Sequence, residues 1–454
     1  MPSLPSPTLR LTLVALCATT GLLAPRSLLA QGSLTPPGAP APTMKSLDQI
    51  EPRTAISTPN FVIANPGAYY LTANLVVPAG PGITIAASGV TLDLNGFALL
   101  YSGSDTANTN AAIQVNRDQK NIAIYNGAIQ GGVTNDLNNF FVGAGFGYGI
   151  AVPQPLNDGS PQAAPVNLRV SDVNITGLVY DGINLPNSGS LVERCTVNTV
   201  GGSGIQADSV RGCSATATGR DAIKANEISD SRGDAQAGYG IYGQTVQNSY
   251  GTTLKGNYGT YGDQVINCYG EASHQYGYGV SGFTVTASYG IGSVQGVFAF
   301  TAQNSYGSSD AGTGLQAYNA ENCNGETSTG IGLQAETATG CSGDAYMGTF
   351  GLIAHAAINC NATSHGPGTA MNCVSAMNCY AQSYAAGAGL AASIANNSYG
   401  TSVSGTGIIA TNIALTCVGA STSGTGLQTR IANSSVGTSA SGLPVSAVYK
   451  YNMP

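Results

Sequence analysis

Charge is unevenly spread along this 454-residue chain. Residues 160–234 hold fourteen charged side chains, whereas 272–449 hold only Asp310, Glu321, Glu326, Glu336, Asp344 and Arg430. In the crowded stretch, Asp181 stands immediately before Gly182-Ile183 and Asp221 immediately before Ala222-Ile223, with Arg220 and Lys224 flanking the second pair. Paired carboxylates do general acid–base work, and a Lys or Arg beside them serves as a base or holds a substrate carboxylate. Asp181, Asp221 and Lys224 are therefore the candidate catalytic groups, and Arg194, Arg211 and Arg220 candidate substrate contacts. The competing reading is structural, since Asp suits the turn before a strand.

Other chemistry is poorly supplied. His274, His355 and His365 fall on different repeats without nearby carboxylate runs, and no CxxC or Cys/His cluster has the spacing of a zinc site. No metal ligand set and no cofactor is expected, calcium excepted if the carboxylates serve a lyase. Aromatic chemistry is better represented. Tyr250, Tyr269, Tyr289 and Tyr306 recur at near-constant intervals, with Tyr380 and Tyr399 beyond them. Facing outward, they would form a strip on which sugar rings could stack; facing one another, they would only brace the scaffold.

That recurrence belongs to a repeat. "VQNSYG" (246–251), "VINCYG" (265–270) and "AQNSYG" (302–307) mark a Cys/Ser column running from Cys195 to Ser435 in steps of 17 to 20. A Gly-Ile-like column, from Gly204-Ile205 to Gly426-Leu427, lengthens and shortens with it. A sustained period near this length is the mark of a solenoid, whose units bury their apolar faces only by stacking. Short alternating runs such as "GIQADSV" and 62 glycines make the unit β, and no stretch carries the spacing of an amphipathic helix. Leucine-rich repeats lack support because the Leu columns are missing. Successive strands lie ~4.8 Å apart, so Asp181 and Asp221, two coils apart, are separated by ~10 Å along the axis. That is near the upper limit for an inverting hydrolase pair.

The segment "NPGAYYLTANLVVPAGPGITIAASGVTLDLNGFALL" resembles the opening coils of secreted bacterial right-handed parallel β-helix proteins, in the superfamily of pectate lyases and polygalacturonases. The resemblance implies an all-β, right-handed parallel β-helix with coils of about 18–20 residues and longer loops in the N-terminal coils. It also implies an extracellular polysaccharide as partner. Asn248, Asn267, Asn304, Asn322, Asn359, Asn378 and Asn397, each just before the Cys/Ser position, resemble the asparagine ladder of that family. The catalytic aspartate signatures of polygalacturonases and the calcium-binding aspartates of pectate lyases are absent.

Domain organisation follows. Residues 1–30, with Arg10 ahead of "LTLVALCATTGLLA", read as an export signal. Residues 31–60 read as a Pro-rich linker and N-terminal cap, with a short helix in "MKSLDQIEP". Residues 61–454 are expected to form one β-helix domain of ~17 coils. Cys17 follows Leu16 rather than a small residue, so no lipid anchor is expected, and no later run is long enough to span a membrane. The ladder cysteines are expected to be unpaired buried thiols. A net charge of −7 and pI near 4.8 argue against nucleic acid as partner. The expected location is secreted or cell-surface. Three functions fit: a noncatalytic polysaccharide-binding or cell-surface protein, a polysaccharide lyase or glycoside hydrolase, and a structural or adhesive spacer. An ice-binding spacer is disfavoured because no outward column is regularly Thr.

Overall fold

The computed structural model describes residues 52–136, 140–153 and 163–453. The export signal, most of the linker and the expected short helix lie outside the described residues. Strands stack in parallel as a β-solenoid of about twenty turns, and no helix occurs among the described residues. The turns are somewhat more numerous than the ~17 coils expected over 61–454. The sheet already includes Thr54–Ile56, which pairs with Tyr69–Leu71.

Upstream turns have three short strands, as in Ile205–Gln206, Ser209–Arg211 and Ser214–Thr218. From Ile241 onward, the first two fuse into a strand of seven to nine residues followed by one of four, such as Tyr278–Thr286 and Tyr289–Gly292. The Gly-Ile column read from the sequence is a ladder in register: Ile205 pairs with Ile223, Ile223 with Ile241 and, further on, Leu315 with Leu333.

Two interior columns balance each other. Val280 and Val285 share one turn; further on, Leu315 stands over Ala320, Leu333 over Ala338 and Met371 over Ala376, all buried. Except at Val297 with Ala302, where the second residue shrinks to Ala the first is Leu, Ile or Met, which holds the cross-section near the close packing of a protein interior.

The residue before the Cys/Ser position takes a left-handed backbone, with φ of 48° at Asn248, 53° at Asn267 and 54° at Asn378. Amide-to-amide hydrogen bonds link Asn267 to Asn248 (2.9 Å), Asn378 to Asn359 (3.1 Å) and Asn397 to Asn378 (2.9 Å). The Cys/Ser column sits directly inside this corner. All nine described cysteines are free and buried. They are more than small apolar fillers, because the backbone N–H at this position donates to the side chain one coil on: Cys213 to Ser231 Oγ (3.1 Å), Cys268 to Ser288 Oγ (3.2 Å) and Cys417 to Ser435 Oγ (3.1 Å). Cys and Ser alternate here because both are small and both accept. Burial pushes the Cys268 thiol up to about 11, so it stays protonated at neutral pH.

Ser288→Ala should therefore cost about 1–3 kcal/mol, the penalty for leaving the buried N–H of Cys268 unpaired. Ser288→Cys should cost less. Urea denaturation midpoints of the two variants check this.

Candidate functional site

The ten residues singled out from the sequence lie on separate parts of the solenoid. Asp181, Arg220, Asp221 and Lys224 flank the first ladder, Arg211 lies in the second, and the tyrosine row lies in the third. Asp181 Oδ1 accepts the Ser203 backbone N–H (2.7 Å), and Oδ2 accepts Asn184 Nδ2 (2.5 Å). Asp221 Oδ1 likewise accepts the Tyr239 N–H (2.9 Å). Each carboxylate thus fastens the start of the next turn. Gly202 and Gly238 make room for them, since a Cβ at either would lie 2.3 Å from the carboxylate oxygen.

Lys224 points outward, with Nζ 5.1 Å from the centroid of the Tyr242 ring. Arg194 forms a two-pronged ion pair with Asp172, both contacts 2.8 Å. Arg211 lines a separate surface depression with Glu227 and Asp230.

Burial raises the pKa of Asp181, and the Asp221 charge adds to the rise; the hydrogen bonds from Ser203 and Asn184 and the Arg220 charge oppose it. A carboxyl whose folded pKa lies above its unfolded value stabilises the fold fully below the unfolded value, and that contribution is lost as pH rises through the folded value. Asp181→Asn keeps an oxygen for the Ser203 N–H and removes the buried charge. The variant should be more stable than the parent at neutral pH, with the advantage shrinking toward acid pH, as thermal melts across that range would register.

The tyrosine row is a stack. Ring centroids are 4.5 Å apart for Tyr250 and Tyr269, 5.6 Å for Tyr269 and Tyr289, and 4.5 Å for Tyr289 and Tyr306, with interplanar angles of 2°, 6° and 13°. The Arg232 guanidinium caps the Tyr250 end at 5.2 Å. Tyr269 and Tyr306 donate their hydroxyls to Glu271 and Glu326, and burial and these carboxylates raise both phenol pKa values. The faces are turned largely toward one another, leaving mainly edges outward.

A groove of about 920 Å³ lies elsewhere, over the fused strands between Tyr258 and Val374. Its floor is the inward-pointing small residue of each strand: Gly282, Ala299, Ala317, Ala335 and Ala354. Outward neighbours on either side raise two walls. One carries Tyr261, Ser281, Phe298, Gln316, Gln334 and Ile353, which are in register from coil to coil. The other carries Asp263, Phe283, Phe300, Tyr318, Glu336 and His355.

Phe283, Phe300 and Tyr318 are 62 %, 45 % and 53 % exposed. Their ring centroids are 4.9 and 5.0 Å apart, with both interplanar angles at 3°. That spacing is set by the coil rise, ~4.8 Å, and exceeds the ~3.5–4.0 Å of carbon contact. Parallel rings at that spacing turn mainly their edges to the groove.

Asp263 and Glu336, the carboxylates in the groove, are separated by four coil steps, ~19 Å. His355 Nδ1 lies 3.8 Å from Glu336 Oε1, and both side chains are largely in solvent. No group of three metal-ligating side chains occurs among the described residues. Sequence reading missed this groove. The aromatic column was present at Phe283, Phe300 and Tyr318, but Asp263 and Glu336 at its ends interrupt the pattern.

No family model and no curated protein matches the sequence. Among solved structures, the chain is similar to the enzymatically active domain of tailspike protein 2 of bacteriophage CBA120, at 12 % identity and a TM-score of 0.27. That match covers 68 % of this chain and 38 % of the tailspike domain, so the chain spans well under half of its length. It is also similar to the A-module of the Azotobacter vinelandii mannuronan C-5 epimerase AlgE4, at 8 % identity and a TM-score of 0.22, covering 86 % of this chain and 89 % of the module. Neither likeness carries an activity to this chain. By its own strand pairing, the chain is an all-β protein whose parallel strands stack into a solenoid of about twenty turns.

Proposed function

We propose that this protein is an exported, noncatalytic polysaccharide-binding solenoid that holds an extended glycan along the groove between Tyr258 and Val374. The observation that carries this reading is the groove's make-up: a small-residue floor, exposed ring edges on one wall, and the Gln316 and Gln334 amides on the other. Ligand sites combine apolar surface with a few placed polar groups in this way. The run along the solenoid axis matches a linear polymer better than a compact ligand.

Binding without cleavage follows from the spacing of the carboxylates. Inverting hydrolases hold theirs ~6.5–9.5 Å apart and retaining ones ~5–5.5 Å. Asp263 and Glu336 are about twice the larger distance apart, at four coil steps of ~4.8 Å. Lys and Arg are absent from the groove lining, so a lyase would find no cationic base there.

The test is to incubate the purified mature protein with a panel of glucans, mannans, pectin and alginate, with and without calcium. Retention should be measured by affinity electrophoresis, alongside new reducing ends. Retention of one polymer class without chain cleavage is the expected result. New chain ends that vanish on Asp221→Ala would replace this reading with a hydrolase or lyase acting at the upstream aspartates.

A further inference from the structure

We infer that the ligand of this groove is an uncharged glycan, one sugar per coil, and that polyuronates and sulfated polymers are excluded from it. This inference rests on the groove being the glycan site.

The charge distribution is one-sided well beyond the groove. Between Lys255 and Arg430 the chain contains no Lys or Arg. The same stretch carries seven carboxylates: Asp263, Glu271, Asp310, Glu321, Glu326, Glu336 and Asp344. A groove set in a surface of one sign concentrates ligands of the opposite sign and repels those of the same sign. A polyuronate has a carboxylate on every residue and would find no Lys or Arg to pair with along the groove. Recognition of carboxylates and sulfates relies on Arg and Lys.

A polycationic glycan fails for a different reason. The aromatic coils of the groove, at Phe283, Phe298, Phe300 and Tyr318, add no carboxylate to its lining; Asp263 lies one coil before them and Glu336 one coil after. An amine on each sugar would lose water there without an acidic partner, which is costly. A neutral sugar chain has neither difficulty. Its hydroxyls meet the Gln316 and Gln334 amides, and its C–H surface meets the exposed rings.

Length agrees as well. The coil rise, ~4.8 Å, is close to the length of one pyranose in an extended β-1,4-linked chain. Successive sugars can therefore meet successive coils in similar register, each beside one ring of the Phe283–Phe300–Tyr318 row.

The test compares three proteins: the mature chain, Phe300→Ala, and the double variant Asp263→Lys/Glu336→Lys. Each is titrated by calorimetry with soluble β-1,4-mannan, xyloglucan, polygalacturonate and a glucosamine polymer, at low and high salt. The expected result is neutral-glycan binding that is insensitive to salt and at least about tenfold weaker in Phe300→Ala. Polygalacturonate should bind only the double variant, and only at low salt.

Polygalacturonate binding to the unmodified chain, weakened by Phe300→Ala, would overturn the neutral-ligand inference and leave the groove as the binding site. Preference for the glucosamine polymer, abolished by salt, would do the same. Glycan binding that is indifferent to Phe300→Ala would remove the groove reading itself, and this inference with it. Circular dichroism and a cooperative unfolding transition confirm that both variants are folded.

Discussion

Phe300→Ala is expected to weaken glycan binding by more than tenfold, whereas Tyr269→Ala leaves it unchanged. The two residues sit in stacks of nearly the same geometry, so the contrast tests position rather than aromaticity. Phe300 is the middle ring of its row, 4.9 Å from Phe283 and 5.0 Å from Tyr318, and it is 45 % exposed over the groove. Its removal takes away its own contact and also the neighbour that holds both flanking rings upright. Buried aromatic anchors at the centre of an interface cost about 2 kcal/mol or more when truncated, roughly 30-fold in affinity. Tyr269 is held between Tyr250 and Tyr289, and its hydroxyl is committed to Glu271 at 2.8 Å. Its loss should lower stability instead, because stacked aromatic pairs contribute about 0.5–1.5 kcal/mol each. Titration of both variants with the same polymer, together with urea melts, separates the two roles. Equal losses of affinity would mean that the ligand reaches the tyrosine face as well.

Why the sequence led to the tyrosines and past the phenylalanines has a physical explanation. The Cys/Ser column lies beside a left-handed corner that demands Asn or another small residue, and its interior position demands a small acceptor. Such constraints repeat strictly, so the period and the β-solenoid could be read directly. The Tyr after each Cys/Ser inherits that regularity. The groove is built from outward residues, which the fold does not constrain, so its columns mix Asp, Phe, Tyr, Glu and His. Two adjacent outward columns become a groove only when folding brings them to either side of a small-residue floor. That depends on the fusion of two strands at Gly262, Gly282 and Ala299, which no single repeat reveals. Asp181 and Asp221 show the reverse case. Their place before the Gly-Ile column is legible in the sequence, but their oxygens meet backbone N–H groups one turn ahead, a partner that only the coil-to-coil register discloses.

Gly330→Ala is expected to be among the most damaging single substitutions in the solenoid, costing about 4 kcal/mol or more, in the range reserved for severe steric or buried-polar defects. A Cβ at residue 330 would lie 1.8 Å from the carbonyl oxygen of Gly312 and 2.6 Å from its carbon. Both are backbone atoms, so no side chain can rotate aside. The turn cannot lift away either, because the Thr327 hydroxyl bonds the Gly312 carbonyl (2.9 Å) and receives the Gly330 N–H (3.0 Å). The same clasp recurs at Ser402 with Gly387 and Gly405, and at Ser421 with Gly405 and Gly424. Each coil is thereby drawn onto the one before it at a point where only glycine fits. In a solenoid, stability is a sum over such neighbour contacts, so one forced separation weakens two adjacent interfaces at once. Thr327→Ser should be nearly silent, since it keeps the hydroxyl. Thr327→Ala should cost about 1–3 kcal/mol for the lost bonds. Denaturant unfolding of the three variants should rank Gly330→Ala worst, then Thr327→Ala, then Thr327→Ser. A Gly330→Ala protein that unfolds at the parent midpoint would mean that the coils are not in backbone contact at this turn, and the clasp would lose its role in setting their spacing.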